Sequence, residues 1–345
     1  MTSVATDVHR HEAVLATYRA RVWPEIERRL PTGRPARWLY EPLADYPRRP
    51  GKGLRAALCM AACAAHGGDD EAALGAAAAI EILHNAFLVH DDIEDGSQWR
   101  RGEPTLHERE GVPLALNVGD ALAVLSFDVL RASSRHLGRR VGRLVLDEFT
   151  TAIWRTLEGQ ALELGWRRDG VTDLTADDYL ELVLLKSSWY TTIAPLRIGT
   201  LIGSDGEAPL RHITRFAVLL GAAFQLTDDV LNLAGHRAAY GKEIAGDLRE
   251  GKRTLMLLHA LANADEPERA AVVAALHRAG AADATVAQLA DLIDRHGSVD
   301  FAREFARGVA DAAAAAFDDA FADAAQPPAA AVIGDLVTYV VERNR

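Results

Sequence analysis

Two long, almost wholly apolar runs of this chain each end in a cluster of acidic residues. Residues 80–89 lead into Asp91-Asp92-Ile93-Glu94-Asp95, and residues 216–226 lead into Asp228-Asp229-Val230-Leu231-Asn232. Apolar runs of this kind are typical of buried segments, whereas an ionised carboxylate is costly to remove from water unless it is paired or binds a metal. The pattern therefore indicates a site for a divalent cation that faces a polyanion.

The rest of the chain favours helix almost everywhere, because alanine is abundant and runs with a period of two are scarce. Loops are predicted at about 96–113 and 235–251. Pro195 removes a backbone donor and should kink its helix. The predicted helices cover roughly residues 12–29, 54–65, 70–92, 114–134, 142–165, 176–203 and 209–233, with more helices up to residue 341.

No linker separates these segments. We therefore predict one all-α domain over residues 1–345, a single large helical bundle around a central apolar cavity, with a flexible N-terminus over residues 1–12. Cys59 and Cys63 are spaced i,i+4 in a predicted helix and are expected to be packed apolar residues rather than a disulfide or a metal pair.

The net charge of −11 and the pI near 5.6 argue against a nucleic-acid partner. Local clusters of Arg and Lys can still bind phosphate against the sign of the whole protein. The first residues lack the basic and apolar regions of a signal peptide. No run of about 18 apolar residues occurs, so we expect no transmembrane segment and a cytoplasmic protein.

The spacing within the acidic clusters places side chains on common helix faces. Asp91 and Asp95 are spaced i,i+4, and so are Asp228 and Asn232. Two such faces opposed across a bundle would suit Mg²⁺, which takes one or two carboxylates together with substrate phosphates and water. Either cluster alone is also compatible with a solvated helix end. Cations near the two clusters are predicted to bind phosphate; they are Lys52, Arg55, Arg100, Arg101, Lys186, Lys242 and Lys252.

Several stretches of the chain resemble the trans-isoprenyl diphosphate synthases. They follow that family's order and approximate spacing over most of the chain. The stretches are GKGLRAAL from Gly51, EILHNAFLVHDDIEDGSQWRRGEPTLH from Glu81, LEGQALEL from Leu157, LKSSWYTT from Leu185, FQLTDDVLNLAG from Phe224 and GKEIAGDLREGKRTL from Gly241. The resemblance implies the isoprenoid synthase fold, a homodimer, and the head-to-tail condensation of isopentenyl diphosphate with an allylic diphosphate.

The resemblance also implies roles for particular residues. Asp91, Asp95 and Asp228 would hold Mg²⁺, with three ions present when diphosphate is bound. The residues implied in catalysis are Asp91, Asp92, Asp95, Arg100, Lys186, Gln225, Asp228 and Lys242. Those implied in binding isopentenyl diphosphate are Lys52, Arg55, His84, Arg101 and Lys252. Arg343 and Arg345 would close over the site, and the apolar helices would keep water from the allylic cation. His90 is expected to be structural.

Some positions differ from the usual family pattern, and others bear on product length. Gly53 stands where the family has Arg or Lys, Ala56 where it has Pro, and Asn232 where the second cluster usually ends in Asp. By analogy, the bulk of the residues before Asp91 limits the growing chain; these are Leu83, Ala86 and Phe87. We expect a C20 product, geranylgeranyl diphosphate.

Other functions stay open from the sequence alone. The first is a C15 farnesyl diphosphate synthase. The second is a class I terpene cyclase on the same fold, although the second set of cations, which a cyclase does not need, argues against it. The third is a non-catalytic partner subunit, although such subunits usually lose an acidic cluster.

Overall fold

The computed structural model describes residues 2–49, 51–234, 245–276 and 283–342, and these are almost entirely helical. Helices α1 to α6 span Thr2–Arg29, Glu41–Leu43, Asp45–Arg48, Leu54–Ala65, Leu74–Asp95 and Leu106–Glu110. Helices α7 to α12 span Val112–Ser134, Gly138–Asp169, Ala176–Leu182, Ala194–Gly203, Arg211–Ala234 and Gly246–Arg249. Helices α13 to α17 span Leu255–Asn263, Glu266–Leu276, Asp283–Arg295, Ser298–Ala320 and Pro327–Glu342.

Short elements of other kinds connect these helices. Two π-helices cover Ala36–Tyr40 and Val183–Ile193, and a 3₁₀ turn covers Asp70–Ala73. The strands Trp99–Arg100 and Glu103–Pro104 pair antiparallel as a small hairpin. The predicted all-α fold is confirmed.

The centre of the bundle is helix α5, which packs along α7 and also contacts α1 and α4. Its first half is rich in alanine, and residues 76–79 are fully buried together with Ile82. Small side chains let neighbouring helices approach closely, while each large apolar side chain that leaves water contributes about 1.5–3 kcal/mol. Helix α11 packs along α16, and α10 along α4, around the other side of the bundle.

The predicted segments differ from the observed elements at four places. The described part of the loop predicted at 235–251 contains α12. Helix α1 begins at Thr2, within the stretch predicted to be flexible. The loop predicted at 96–113 contains the hairpin and α6. The segment 176–203 is not one kinked helix but α9, a π-helix and α10 in series, and Pro195 stands in the first turn of α10. A proline is well tolerated there because the first turn has no intrahelical use for its N–H group.

Three helices are long and apolar enough to cross a membrane by length and composition. They are Asp70–Asp95, Val112–Ser134 and Arg211–Leu233, and their apolar windows are 67%, 33% and 50% buried inside the bundle. Packing against other helices accounts for the apolar character of the first, whereas much of α7 stays exposed. The absence of a transmembrane segment remains a prediction.

The two cysteines on α4 are both buried and free. Burial raises the pKa of each thiol above its ordinary value. Cys59 and Cys63 are therefore packed apolar residues, as predicted.

Candidate active site

The bundle encloses a cavity of 690 Å³ between α4, α5, α8, α11 and the longer π-helix. This volume is in the range of sites for small ligands. One part of the wall is apolar, with Phe87, Leu88, Leu157, Leu182, Val183, Phe224 and Leu231. The polar part includes Lys52, Arg55, His84, Asp91, Glu94, Arg100, Arg101, Lys186, Gln225, Asp228, Asp229, Asp247 and Lys252. Residues of both acidic clusters therefore line one cavity together with several Lys and Arg side chains.

The π-helix Val183–Ile193 brings Lys186 into this chamber. Such wide turns are frequent at functional sites. Gly159 of α8 permits the close approach, because a Cβ atom there would lie 2.3 Å from the backbone nitrogen of Lys186. The Nζ atom of Lys186 lies 2.5 Å from Glu163 and 3.4 Å from Asp91. Burial lowers the pKa of Lys186, but these carboxylates more than offset it and hold the pKa above its ordinary value.

The outer acids of the first cluster are surrounded by cations. Asp91 lines the cavity, and its carboxylate lies 3.5 Å from Arg100. Asp95 is almost fully buried between Arg167, at 2.5 Å, and Lys252, at 2.9 Å. Burial raises the pKa of Asp95, but the neighbouring cations, led by Lys252, bring it below its ordinary value. Both carboxylates therefore have cations within ion-pair distance.

Asp92, between them, points away from the cavity. Its side chain is completely buried, accepts a hydrogen bond from the Tyr46 hydroxyl at 2.5 Å, and accepts another from Nε of Arg100 at 2.7 Å. The backbone N–H of Leu106 donates to the same hydroxyl at 3.3 Å. The sequence groups Asp92 with the catalytic acids, but the structure places it where it can hold only Arg100 and the neighbouring loop.

Arg49, which the sequence analysis missed, fixes the hairpin that carries Arg100 and Arg101. Its buried guanidinium donates to the carbonyl of Arg100 at 2.9 Å, to that of Pro104 at 2.7 Å, and to the carboxylate of Asp45 at 2.6 Å. Charged donors that satisfy several acceptors make strong and directional contacts. Only the Asp45 contact, at i,i+4, has a signal in the sequence, because the carbonyl partners are distant along the chain.

In the second acidic cluster, the side chain of Asp229 is hydrogen-bonded to two neutral groups. Asp228 lines the cavity. Asp229 accepts from the Tyr179 hydroxyl and from Nε2 of Gln225, each at 2.7 Å. Burial, with a further contribution from Asp247, raises the pKa of Asp229 to about 7. The Oε1 atom of Gln225 accepts from Ser187 at 2.8 Å, so Gln225 connects this cluster to the π-helix.

Asn232, the residue that departs from the usual pattern, is buried and does not line the cavity. Its Oδ1 atom accepts from the backbone N–H of Asp247 at 3.1 Å, and its backbone carbonyl accepts from Ala245 at 2.9 Å. Asn232 therefore anchors the segment that begins α12. Lys242, Arg343 and Arg345, which the resemblance assigns to the site, lie outside the described residues.

Four of the residues predicted to bind isopentenyl diphosphate line the cavity. Lys52, Arg55, His84 and Arg101 all line the cavity, and Nη2 of Arg101 lies 3.5 Å from Nε2 of His84. Burial lowers the pKa of Arg101, and the nearby Arg55 contributes in the same direction although Glu81 opposes it. Buried like charges of this kind favour an anionic ligand. Lys252, predicted to join this group, instead contacts Asp95, Asp247 and Glu250.

Tyr190 is the second residue that the sequence analysis missed. The guanidinium of Arg55 lies 4.5 Å from the centre of its ring, and Nη2 of Arg55 donates to Thr191 at 2.9 Å. The ring also contacts His84 and Phe87. Its position in the stretch LKSSWYTT is visible in the sequence, but the contacts depend on how α4 and α5 pack against the π-helix.

Comparisons with known proteins agree with this arrangement. The family model described as polyprenyl synthetase matches residues 36–293. The chain belongs to the polyprenyl synthetase family. Geranylgeranyl diphosphate synthase of Saccharolobus solfataricus is 32% identical over 263 residues, which cover 76% of this chain and 78% of that protein. The predicted family and the predicted class of enzyme, a prenyltransferase, are confirmed.

Solved structures of this family carry the same fold but differ in the products that they are named for. Geranylgeranyl pyrophosphate synthetase of Pyrococcus horikoshii aligns with a TM-score of 0.84 at 30% identity, over 96% of this chain and 99% of its own. A decaprenyl diphosphate synthase of Rhodobacter capsulatus aligns with a TM-score of 0.82, also at 30% identity, over 98% and 99%. Overall similarity therefore does not separate short products from long ones in this polyprenyl synthetase.

Product length was predicted to depend on three residues of α5, and the structure separates them. Phe87 lines the cavity. Leu83 and Ala86 are 3% and 1% exposed, belong to the core, and are not among the residues that line the chamber. Gly53, at the start of α4, has a φ of +70°, a conformation that glycine adopts without strain, and it also lies outside the lining.

The carboxylates of this polyprenyl synthetase fit Mg²⁺. Within the described part of the chain, no three His, Cys, Asp or Glu side chains converge as a complete metal site. Asp91 and Asp228 nevertheless line one cavity from α5 and α11. This is the donor set that Mg²⁺ takes when substrate phosphates and water supply the other ligands. Asp95, the third predicted ligand, is held in ion pairs behind the cavity surface.

Proposed function

We propose that the protein catalyses the Mg²⁺-dependent condensation of isopentenyl diphosphate with an allylic diphosphate, with C20 geranylgeranyl diphosphate as the main product. One observation carries this proposal: the cations that line the single cavity have two kinds of partner. Arg100 and Lys186 lie beside Asp91, whereas Arg101 contacts His84 and Arg55 lies over the ring of Tyr190. A reaction that joins two diphosphates needs two such sites.

The first group would act on the allylic diphosphate. Arg100 and Lys186 donate to the oxygens of the leaving group, and Lys186 exchanges its contact with Glu163 for the substrate. As the allylic C–O bond breaks, the negative charge that develops on the diphosphate is stabilised by donors that are already in place. Asp91 and Asp228 would hold Mg²⁺, which would supply further positive charge to the leaving diphosphate.

The second group would hold isopentenyl diphosphate through Lys52, Arg55, His84 and Arg101. The double bond then faces the allylic carbon across the chamber, and the new C–C bond forms there. A proton leaves the adjacent carbon and passes to the departing diphosphate, which balances the step. The apolar lining excludes water, which would otherwise capture the cation.

The assay that tests this proposal gives the purified protein Mg²⁺ and isopentenyl diphosphate with C5, C10 and C15 allylic diphosphates in turn. A parallel series omits isopentenyl diphosphate. We expect linear products that require both substrates, ending mainly at C20. Cyclic hydrocarbon from an allylic diphosphate alone would make the protein a terpene cyclase, a main product of C15 would make it a farnesyl diphosphate synthase, and inactivity in both series would favour a partner subunit.

A homodimer through α7 and α8 is part of the proposal. Exposed apolar side chains follow one another at helical spacing on these two helices: Val112, Leu116, Val124, Phe127, Leu146 and Trp154. A contiguous apolar patch of this kind is typical of a protein interface, and a twofold axis would pair the patch with itself. Trp154→Glu should shift the protein to monomer in sedimentation, while Phe301→Glu on α16 should not. A Trp154→Glu variant that stays dimeric would contradict this interface.

The predicted cytoplasmic location stays a prediction.

A further inference from the structure

Lys52 is held differently from Lys186 and Lys252, the other two described lysines that line the cavity. Lys186 lies within ion-pair distance of two carboxylates, and Lys252 of three. Among the described residues Lys52 has no such partner, and its Nζ atom instead lies 5.3 Å from the centre of the Tyr339 ring. A ring face thus takes the place of an acid at this lysine.

We propose that Tyr339 of α17 is a positioning residue for Lys52, so that the last turn of α17 sets the affinity for isopentenyl diphosphate. This inference rests on the proposed function, in which Lys52 binds that diphosphate. Tyr339 itself does not line the cavity, so it can act on the substrate only through the lysine. The contact joins residues near opposite ends of the chain, and the sequence gives no sign of it.

The ring orients Lys52 without neutralising it. Lys52 is exposed to solvent, and a free lysine side chain loses rotamer freedom when it binds a ligand. A contact that already holds the ammonium group lowers that cost. A ring face also leaves the positive charge to an anionic ligand, since it attracts the cation without carrying a net charge. A carboxylate would have to be exchanged for the diphosphate, as Lys186 exchanges Glu163 in the proposed reaction.

The ring of Tyr339 is fixed by the packing of α17 on α1 and α4. Its side chain is fully buried, in a core that also contains Leu15 of α1 and Leu54 of α4. The ring of His11 on α1 meets it edge-on, with the ring centres 6.1 Å apart. Leu54 begins α4 two residues after Lys52. One core therefore anchors both the ring and the backbone that carries the lysine.

The ring and the hydroxyl of Tyr339 can be separated by substitution. Within the described part of the chain the buried hydroxyl has no hydrogen-bond partner, and neither has the buried Nδ1 atom of His11. Tyr339→Phe therefore removes no protein hydrogen bond and keeps the ring face. Tyr339→Leu removes the ring face but keeps an apolar side chain in the core.

The test measures the KM for isopentenyl diphosphate and for a C15 allylic diphosphate in the wild type and both variants. We expect Tyr339→Leu to raise the KM for isopentenyl diphosphate about fivefold, the effect of losing a solvent-accessible cation–π contact, with an unchanged KM for the allylic substrate. Tyr339→Phe should match the wild type. Leu336→Ala is the matched control, because it shortens a fully buried side chain of the same helix, and both KM values should stay unchanged. Tyr339→Met replaces Tyr339→Leu if the leucine variant does not fold.

A double-mutant cycle with Lys52→Met tests whether Tyr339 acts through the lysine. Residues that act together are not additive, so Tyr339→Leu should cause no further rise in the KM for isopentenyl diphosphate once the ammonium group is gone. A further rise in the Lys52→Met background would overturn the inference, because the ring would then act independently of the lysine.

Three other outcomes would also overturn it. An unchanged KM for isopentenyl diphosphate in Tyr339→Leu would mean that the ring does not position Lys52. An equal rise in Tyr339→Phe would assign the effect to the hydroxyl, and an equal rise in Leu336→Ala would assign it to the packing of α17 as a whole. The wild type separates these failures from a failure of the proposed function, since it must first make linear products that require both substrates.

Discussion

The two acidic clusters look alike in the sequence, but their carboxylates have different partners in the fold. In the first, Asp91, Asp92 and Asp95 each lie beside an arginine, and Asp95 also meets a lysine. In the second, Asp229 is bonded to a tyrosine and a glutamine, and its pKa is raised to about 7. Buried carboxylates stay ionised only where cations or several donors compensate them. Cations thus surround the carboxylates of the first cluster, whereas Asp229 of the second cluster is hydrogen-bonded to neutral side chains.

The largest expected effect is on stability, and it concerns the buried acids Asp92 and Asp229. Asp92→Asn leaves the buried guanidinium of Arg100 without its main partner, and breaking such a pair typically costs about 3–5 kcal/mol of unfolding free energy. Asp229→Asn replaces a carboxyl group that is bonded to neutral donors, so we expect a loss of only about 1 kcal/mol. Urea denaturation of both variants measures the difference. Equal losses would mean that the two clusters are stabilised alike.

The next effect is on catalysis, and it concerns Asp91. Asp91→Asn removes the charge that faces the cavity between Arg100 and Lys186. We expect kcat/KM to fall by about 10²–10³, the loss typical when one electrostatic contact to the reacting group is removed. Steady-state kinetics at saturating Mg²⁺ measures it, with unfolding by urea as the control for folding. A loss smaller than about tenfold would mean that Asp91 does not act in catalysis.

A smaller effect is expected at Asn232, where the second cluster differs from the usual family pattern. Asn232→Ala removes the acceptor for the N–H of Asp247 and should lower activity by about tenfold, because α12 loses its anchor. Asn232→Asp keeps that acceptor and should stay within about threefold of the wild type. The dependence of rate on Mg²⁺ concentration checks both. A clear gain in Mg²⁺ affinity for Asn232→Asp would mean that this position is a metal ligand after all.

The smallest effect is expected for a partly exposed ion pair outside the active site. Arg21 on α1 contacts Asp70 at 2.6 Å, and both side chains are about a quarter to a third exposed. Hydrogen bonding to Arg21 lowers the pKa of Asp70, so this pair stabilises the fold above the ordinary pKa of 3.8, and the stabilisation is lost as the pH falls through the lowered pKa. Arg21→Met should cost about 0.2–1 kcal/mol at pH 7.

The control for this last prediction is the pH itself. The difference in unfolding free energy between Arg21→Met and the wild type should shrink as Asp70 becomes protonated in strong acid. A difference that is constant with pH would show that the methylene groups of Arg21, rather than its charge, stabilise the contact between α1 and the 3₁₀ turn before α5.

Much of the fold followed from local patterns. The apolar periodicity of residues 54–65 gave α4 to the residue, and that of residues 70–92 gave α5 to within four residues at either end. It failed at 176–203, because the π-helix that carries Lys186 and Tyr190 has no sequence signal of its own and depends on Gly159 of α8 letting the two backbones meet. The loop before α6 was predicted without its hairpin for a similar reason, since Arg49 fixes it from a distant part of the chain.

The sequence by itself determined the class of fold, the two acidic clusters and the two sets of cations, since residue type and spacing on a helix are local properties. Only the tertiary structure decided which side of α5 meets the cavity, so that Phe87 lines it while Leu83 and Ala86 are buried elsewhere. It also decided that Asp92 and Asn232 serve as anchors and that Tyr190 stands beside Arg55. These assignments depend on contacts between residues far apart in the chain, which a local sequence pattern does not predict.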